Sequence, residues 1–153
     1  MAQGDVVVFQ QFVEDLGNKV HDLDGDAIKM GLIDSVQTPT AGATDPRWGA
    51  GGTVNYDTNE VSQTGGNYAA EGIDISATWS ETSGTGTFNA TDITTWTSDP
   101  SNPDDAKWGI IYNSTSAGKE CIAYLDLGTE FDMTTGDLDV TWHANGIFQT
   151  ALA

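Results

Sequence analysis

Gly72-Ile73-Asp74-Ile75-Ser76-Ala77-Thr78-Trp79 alternates strictly, with Ile73, Ile75, Ala77 and Trp79 on one side of an extended chain. A period of two marks a half-buried β-strand, so the stretch predicts a strand with those four side chains inward. Downstream, Ser83-Gly84-Thr85-Gly86 reads as a turn into Thr87-Phe88-Asn89-Ala90, and Thr94-Thr95-Trp96-Thr97 reads as a further strand. Residues 98–105 hold Pro100 and Pro103 among Ser, Asn and Asp, a turn cluster, since proline cannot donate to a central ladder. Beyond it lie Lys107-Trp108-Gly109-Ile110-Ile111-Tyr112-Asn113, a strand-like run at 120–127, and Asp137-Leu138-Asp139-Val140-Thr141-Trp142. Asn145-Gly146-Ile147-Phe148 closes the pattern, and residues 149–153 read as a frayed tail.

Upstream the chain becomes polar and glycine-rich. Residues 36–66 read as a long surface loop pinned by Trp48 and Tyr56, of the kind that is often functional. Before it, Asp24-Gly25 suits a tight turn between residues 19–23 and a returning strand at 26–34, with Ile28, Met30 and Leu32 on one face. The N-terminal stretch reads two ways. Val6-Val7-Val8-Phe9 alone favours a strand, whereas Phe9, Phe12, Val13 and Leu16 share one helical face; a short helix from about Phe9 to Gly17 is the preferred reading. Lys29-x-Gly31-Leu32-Ile33 echoes Lys107-x-Gly109-Ile110-Ile111. The echo marks either equivalent central strands of two facing sheets or a chance likeness of buried strands.

Seven to nine short strands with frequent turns predict a mostly β fold: an antiparallel β-sandwich, jelly-roll-like, with one short N-terminal helix. The 153 residues suit a single domain over the whole chain. Five Trp, five Phe and four Tyr compensate for a modest apolar share of 38%, because each ring buries a large area.

Charge narrows the function. Against 23 Asp and Glu stand 5 Lys and Arg, a net charge of −18, with the acids spread along the chain instead of collected in a tail. Such a surface repels phosphate backbones and anionic membranes, so neither nucleic acid nor membrane is an expected partner. Met1-Ala2-Gln3-Gly4-Asp5 lacks the basic start of a secretion signal, and no apolar run approaches a membrane span; synthesis and folding in a cytoplasm are expected. The triplets at Asn89 and Asn113 then read as chance matches to a glycosylation site.

Catalytic chemistry has little to draw on. His21 and His143 are the only histidines and read as surface or structural residues, and Cys121 reads as a buried, inert thiol. Asp22-Leu23-Asp24-Gly25-Asp26 begins like a calcium loop, but Gly25 stands fourth and Ile33 twelfth, where that loop needs Gly at its sixth position and Glu at its twelfth. Asp99, Asp104 and Asp105 read as a solvated acidic turn, and one Cys with two distant His does not make a zinc site. No catalytic residue, cofactor or metal is assigned. Trp79, Trp96, Trp108 and Trp142 fall in strand patterns and read as core. Trp48, after Asp45-Pro46-Arg47, reads equally as a cover for the sandwich edge or as an anchor for a partner.

Several segments in order carry a family resemblance: Met1-Ala2-Gln3-Gly4-Asp5-Val6; His21-Asp22-Leu23 followed by residues 28–34; and Glu60-Val61 to Gly65-Gly66-Asn67-Tyr68. Residues 108–113, Leu125-Asp126-Leu127-Gly128, and Gly136-Asp137 through Trp142 to Phe148 complete the set. Together it resembles a recurrent family of small tailed-bacteriophage virion proteins, among them capsid decoration, or cement, proteins. The resemblance implies a β-sandwich, a trimer, the major capsid protein as partner, a place on the capsid exterior and no catalytic residues. It leaves open a tail-associated or host glycan-recognition role. The expected contact residues are Val6, Val7, Val8, Phe9 and Phe12 near the N-terminus, with Arg47 and Trp48 in the loop.

Overall fold

In chain order, β1 (Val6–Val8) leads into the helix α1 (Gln11–Gly17), followed by β2 (Ile28–Ile33), β3 (Pro46–Arg47), β4 (Val54–Asn55) and a 3-10 turn at Tyr56–Asn59. Then come β5 (Ile73–Asp74), β6 (Thr78–Thr82), β7 (Thr85–Asn89), β8 (Ile93–Trp96), β9 (Ala106–Asn113), β10 (Cys121–Phe131), β11 (Leu138–Val140) and β12 (Phe148–Ala151). These elements come from a computed structural model that describes residues 3–62 and 65–151. Two positions of the expected loop (63 and 64), the first two residues of the opening segment and the last two of the expected tail lie outside the described residues.

The fold is mostly β, with antiparallel sheets and one short helix. Its centre is a five-stranded antiparallel sheet in the order β1-β10-β9-β2-β5. The inner strands β2 and β9 along nearly their whole length, and β10 from Cys121 to Leu127, are buried on both sides of the pleat. This accounts for their near-continuous apolar sequences, since a strand covered on both faces has no solvent side on which to place polar residues. On one face, Ile28, Met30, Leu32, Ile111, Ala123 and Leu125 pack with Phe88, Ile93, Trp96, Leu138, Val140 and Ile147. Those partners lie on or beside the sheets β12-β7-β6 and β11-β8, which gives a sandwich-like layering. On the other face, Ile33, Trp108, Ile110, Tyr112 and Tyr124 are covered by Phe9, Trp48 and Tyr56. Strand order alone does not make this sandwich a jelly roll.

The loop after β2 is therefore the lid of a second core. Trp48 stacks on Tyr112 with ring centroids 4.9 Å apart and planes 6° apart. It lies so close over β2 that a Cβ on Gly31 would come within 2.2 Å of its ring. The short parallel pair β3–β4 holds the loop, and the Trp48 N–H donates to the Lys119 carbonyl. Trp48 and Tyr56 pin this segment as the sequence suggested, with both rings fully buried.

Several expectations are corrected. Both N-terminal readings hold in succession, strand then helix, but the helix starts at Gln11 and turns Phe12 and Asp15 inward. Val13 is 72% exposed and Leu16 38%. Phe9 precedes the helix and enters the opposite core from Phe12, so the four residues do not share a face. Residues 19–23 form no strand; Asp22 instead accepts the Asp24 and Gly25 N–H groups in a local turn, and β2 pairs with β9 and β5.

The strand expected over residues 72–79 is broken at Ser76, whose φ is +47° and whose N–H donates to the Asp74 carboxylate. β5 joins the central sheet and β6 leaves for β7, yet both ends lean on one core, so the alternation survives the kink. The β6–β7 turn is as expected, with Ser83 and Gly84 both at positive φ, the geometry of a two-residue hairpin. The echoing strands are neighbours in one sheet, with Gly31 opposite Ile110 and Leu32 opposite Gly109. The expected tail includes β12, which pairs with β7 from Phe148↔Phe88 to Ala151↔Thr85.

Candidate functional site

A groove of about 930 Å³ opens at the β1 edge, where the two layers of the sandwich part. Three valines in a row favour extended backbone, and β1 pairs with β10 through Val6↔Leu125, Val7↔Tyr124 and Val8↔Ala123. The Gly4 N–H extends the pairing to the Asp126 carbonyl at 2.8 Å. Across the groove, β11 pairs with β8, placing Leu138 opposite Trp96 and Val140 opposite Ile93. The chain then turns through residues 141–147. The Trp142 N–H donates to Asp92 at 2.9 Å, its indole N–H to the Thr91 carbonyl at 3.0 Å, and the Ile147 N–H to the Phe88 carbonyl at 2.7 Å.

The groove bottoms on Leu125, Leu127, Leu138 and Val140, buried core side chains of which only a little surface shows, and it is edged by the half-buried Val6 and Trp142. Asp5, Asp137 and Asp139 stand exposed on its rim. Asp126 lies deeper, where the Lys107 ammonium donates to its carboxylate and to the Gly128 carbonyl. Burial opposes ionisation of Asp126, but Lys107 and the Gly128 N–H outweigh it and hold the carboxyl below its ordinary value. Lys107 also lies 4.4 Å from the centroid of the Trp108 ring. The site thus offers apolar contact and negative charge, and the Lys107 ammonium beside it is already paired with Asp126.

Of the seven expected contact residues, Val6 lines the groove, Val7 faces the second core and Val8 the first; all three are half-buried. Phe9, Phe12 and Trp48 are corrected. Each is buried in the chain's own core, and none of the three lines the groove. Of the two readings of Trp48, the structure bears out the cover. Arg47 is half-buried, with Nε 2.8 Å from Asp45 and Nη1 4.0 Å from Glu120. The groove does not bring the Arg47 loop together with β1. What the sequence reading missed is the far wall, since Leu138, Val140 and Trp142 alternate as core residues do. Only pairing shows that β11 has a strand on one side and a recess on the other.

The remaining reactive groups are placed elsewhere. Cys121 is buried as expected, and burial pushes its thiol well above the ordinary value. His21 is buried against Phe12, at 5.4 Å between ring centroids; its Nδ1 lies 3.3 Å from the Asn113 amide nitrogen and its Nε2 has no hydrogen-bond partner. His143 is exposed at the groove mouth and accepts the Asn145 N–H. In the Asp22–Asp26 turn, Asp22 and Asp26 are spent on backbone N–H groups and on Asn113. Among the described residues, no three His, Cys, Asp or Glu side chains converge as metal ligands, and no helix is long and apolar enough to cross a membrane.

Comparison with models of protein families, with curated proteins and with solved structures finds no match to this chain.

Proposed function

We propose that the chain is a non-enzymatic structural protein of a tailed-phage virion: a capsid decoration, or cement, protein on the outer face of the head. In this reading it is made in the host cytoplasm, assembles as a homotrimer and bridges neighbouring subunits of the major capsid protein. A jelly-roll connection of the sandwich belongs to the same proposal. The observation that carries the adhesive part is the open apolar groove beside Val6 on a chain of net charge −18. An apolar recess with an acidic rim suits a protein surface and repels phosphate. The virion part rests on the ordered segments that resemble phage structural proteins.

The mechanism is adhesion. A protein that spans two capsid subunits adds its own contacts to those that must break before the shell opens. Each large apolar side chain it fully buries contributes roughly 1.5–3 kcal/mol before the cost of association is subtracted. A trimer multiplies the effect, because the second and third contacts form at high effective concentration.

A second reading, a tail-associated or host glycan-recognition protein, is favoured by one feature. The Trp142 ring is half-buried in a groove whose rim also carries Asp137 and Asp139, a combination that also suits sugars. Antibody labelling of purified virions separates the two. Label over the head supports decoration, label at the tail tip supports recognition, and unlabelled particles contradict both.

A further inference from the structure

We propose that the groove between β1 and β11 docks an extended segment of a different protein, one that alternates apolar with basic side chains. The inference rests on the adhesive reading above and names the chemistry of the partner.

Two features define that occupant. The groove runs between two strands that, among the described residues, each have a single strand neighbour: β10 for β1, and β8 for β11. An extended segment laid between them meets strand edges and sets alternate side chains onto Leu125, Leu127, Leu138 and Val140, the mode of strand addition. The other alternate side chains point outward past the rim, where Asp137 and Asp139 flank Leu138. Lysine or arginine there gains two carboxylates, whereas an acidic segment meets like charge.

The charge inventory also argues against a second copy of this chain as the occupant. Four of its five cations already form ion pairs with its own acids: Lys29 and Lys119 with Glu71, Arg47 with Asp45 and Glu120, and Lys107 with Asp126. A second copy would bring its own net charge of −18 and few cations to spare.

The purified full chain is titrated with a short capped peptide alternating lysine and valine, and with its glutamate–valine counterpart, while backbone amide resonances are followed. The lysine peptide is expected to shift Val6 and residues 137–147, to bind more weakly as salt rises, and to leave the rest of the spectrum unchanged. The double variant D137N/D139N is expected to bind it roughly tenfold more weakly, on the scale of two exposed ion pairs. Asparagine keeps an acceptor for the Ser98 N–H that Asp137 holds at 2.6 Å, and an unchanged thermal midpoint confirms that the variant is folded.

Equal binding of the two peptides, or full affinity in the double variant, overturns the charge assignment. Absent shifts, or shifts confined to another face, overturn the groove. Concentration-dependent changes of residues 137–147 in the free protein, matched by self-association in sedimentation, give the groove to a second copy and overturn the proposal. None of these results alters where antibody falls on virions, so the groove and the virion reading fail separately.

Discussion

At the scale of single residues, the fold depends on a few large side chains for which the backbone leaves room. Trp48 reaches Tyr112 only because residue 31 has no side chain. Gly31→Ala is expected to destabilise the protein by about 1–3 kcal/mol, as overpacking does, and Trp48→Ala by about 3–5 kcal/mol. Because the two share one contact, Gly31→Ala should cost much less in the Trp48→Ala background, which a double-mutant cycle in denaturant measures. Equal costs in both backgrounds would show that the contact does not exist.

His21 gives a residue-scale dependence on pH. Burial lowers its folded pKa below the ordinary 6.5, although Asp15, Glu120 and Asp26 pull it upward. The unfolded chain therefore binds the proton first, and stability falls as pH drops through about 6.5 towards the lower folded value. The thermal midpoint should drop between about pH 7.5 and about pH 5.5, and less so in His21→Gln; identical slopes would remove His21 as the cause.

At the scale of elements, α1 tests how burial divides a short helix. Phe12 is buried against His21 and Phe148, whereas Val13 and Leu16 face solvent. Phe12→Ala should cost about 3–5 kcal/mol, and Val13→Lys or Leu16→Lys should stay within about 0.5 kcal/mol in equilibrium unfolding. The reverse pattern would restore the helical face that spacing suggested. That spacing misled because Phe9 belongs to the approach from β1, and seven residues of helix are too few for periodicity to separate it from the helix proper. Other elements were legible for clear reasons. β6 and β7 meet at Ser83-Gly84, where the glycine takes positive φ freely, and β9 and β10 have apolar runs long enough to specify strands. Pairing was not legible. Nothing local distinguishes β2 as the neighbour of β9 from β2 as half of a hairpin at Asp24-Gly25, because that choice is made by the shared cores. β12 was missed because its short, polar run carries little signal until β7 offers it an edge.

At the scale of the whole molecule, a net charge of −18 bears on partners more than on fold. At physiological salt the protein should leave the fluorescence anisotropy of a labelled DNA duplex unchanged; a saturable rise would contradict the electrostatic account. Of the candidate site, Val6 was singled out by the sequence and lines the groove, while the opposite wall required the parting of two layers that only the tertiary fold creates. At this scale stands the proposed function, adhesion on the outside of a phage head. Its most direct test is an electron-microscopy map of the intact particle in which the chain is located. The account predicts density for this protein on the outer surface of the head, bridging adjacent capsid subunits, with a strand of a neighbouring protein lying between β1 and β11. A particle that lacks the chain, or carries it only at the tail, would contradict it.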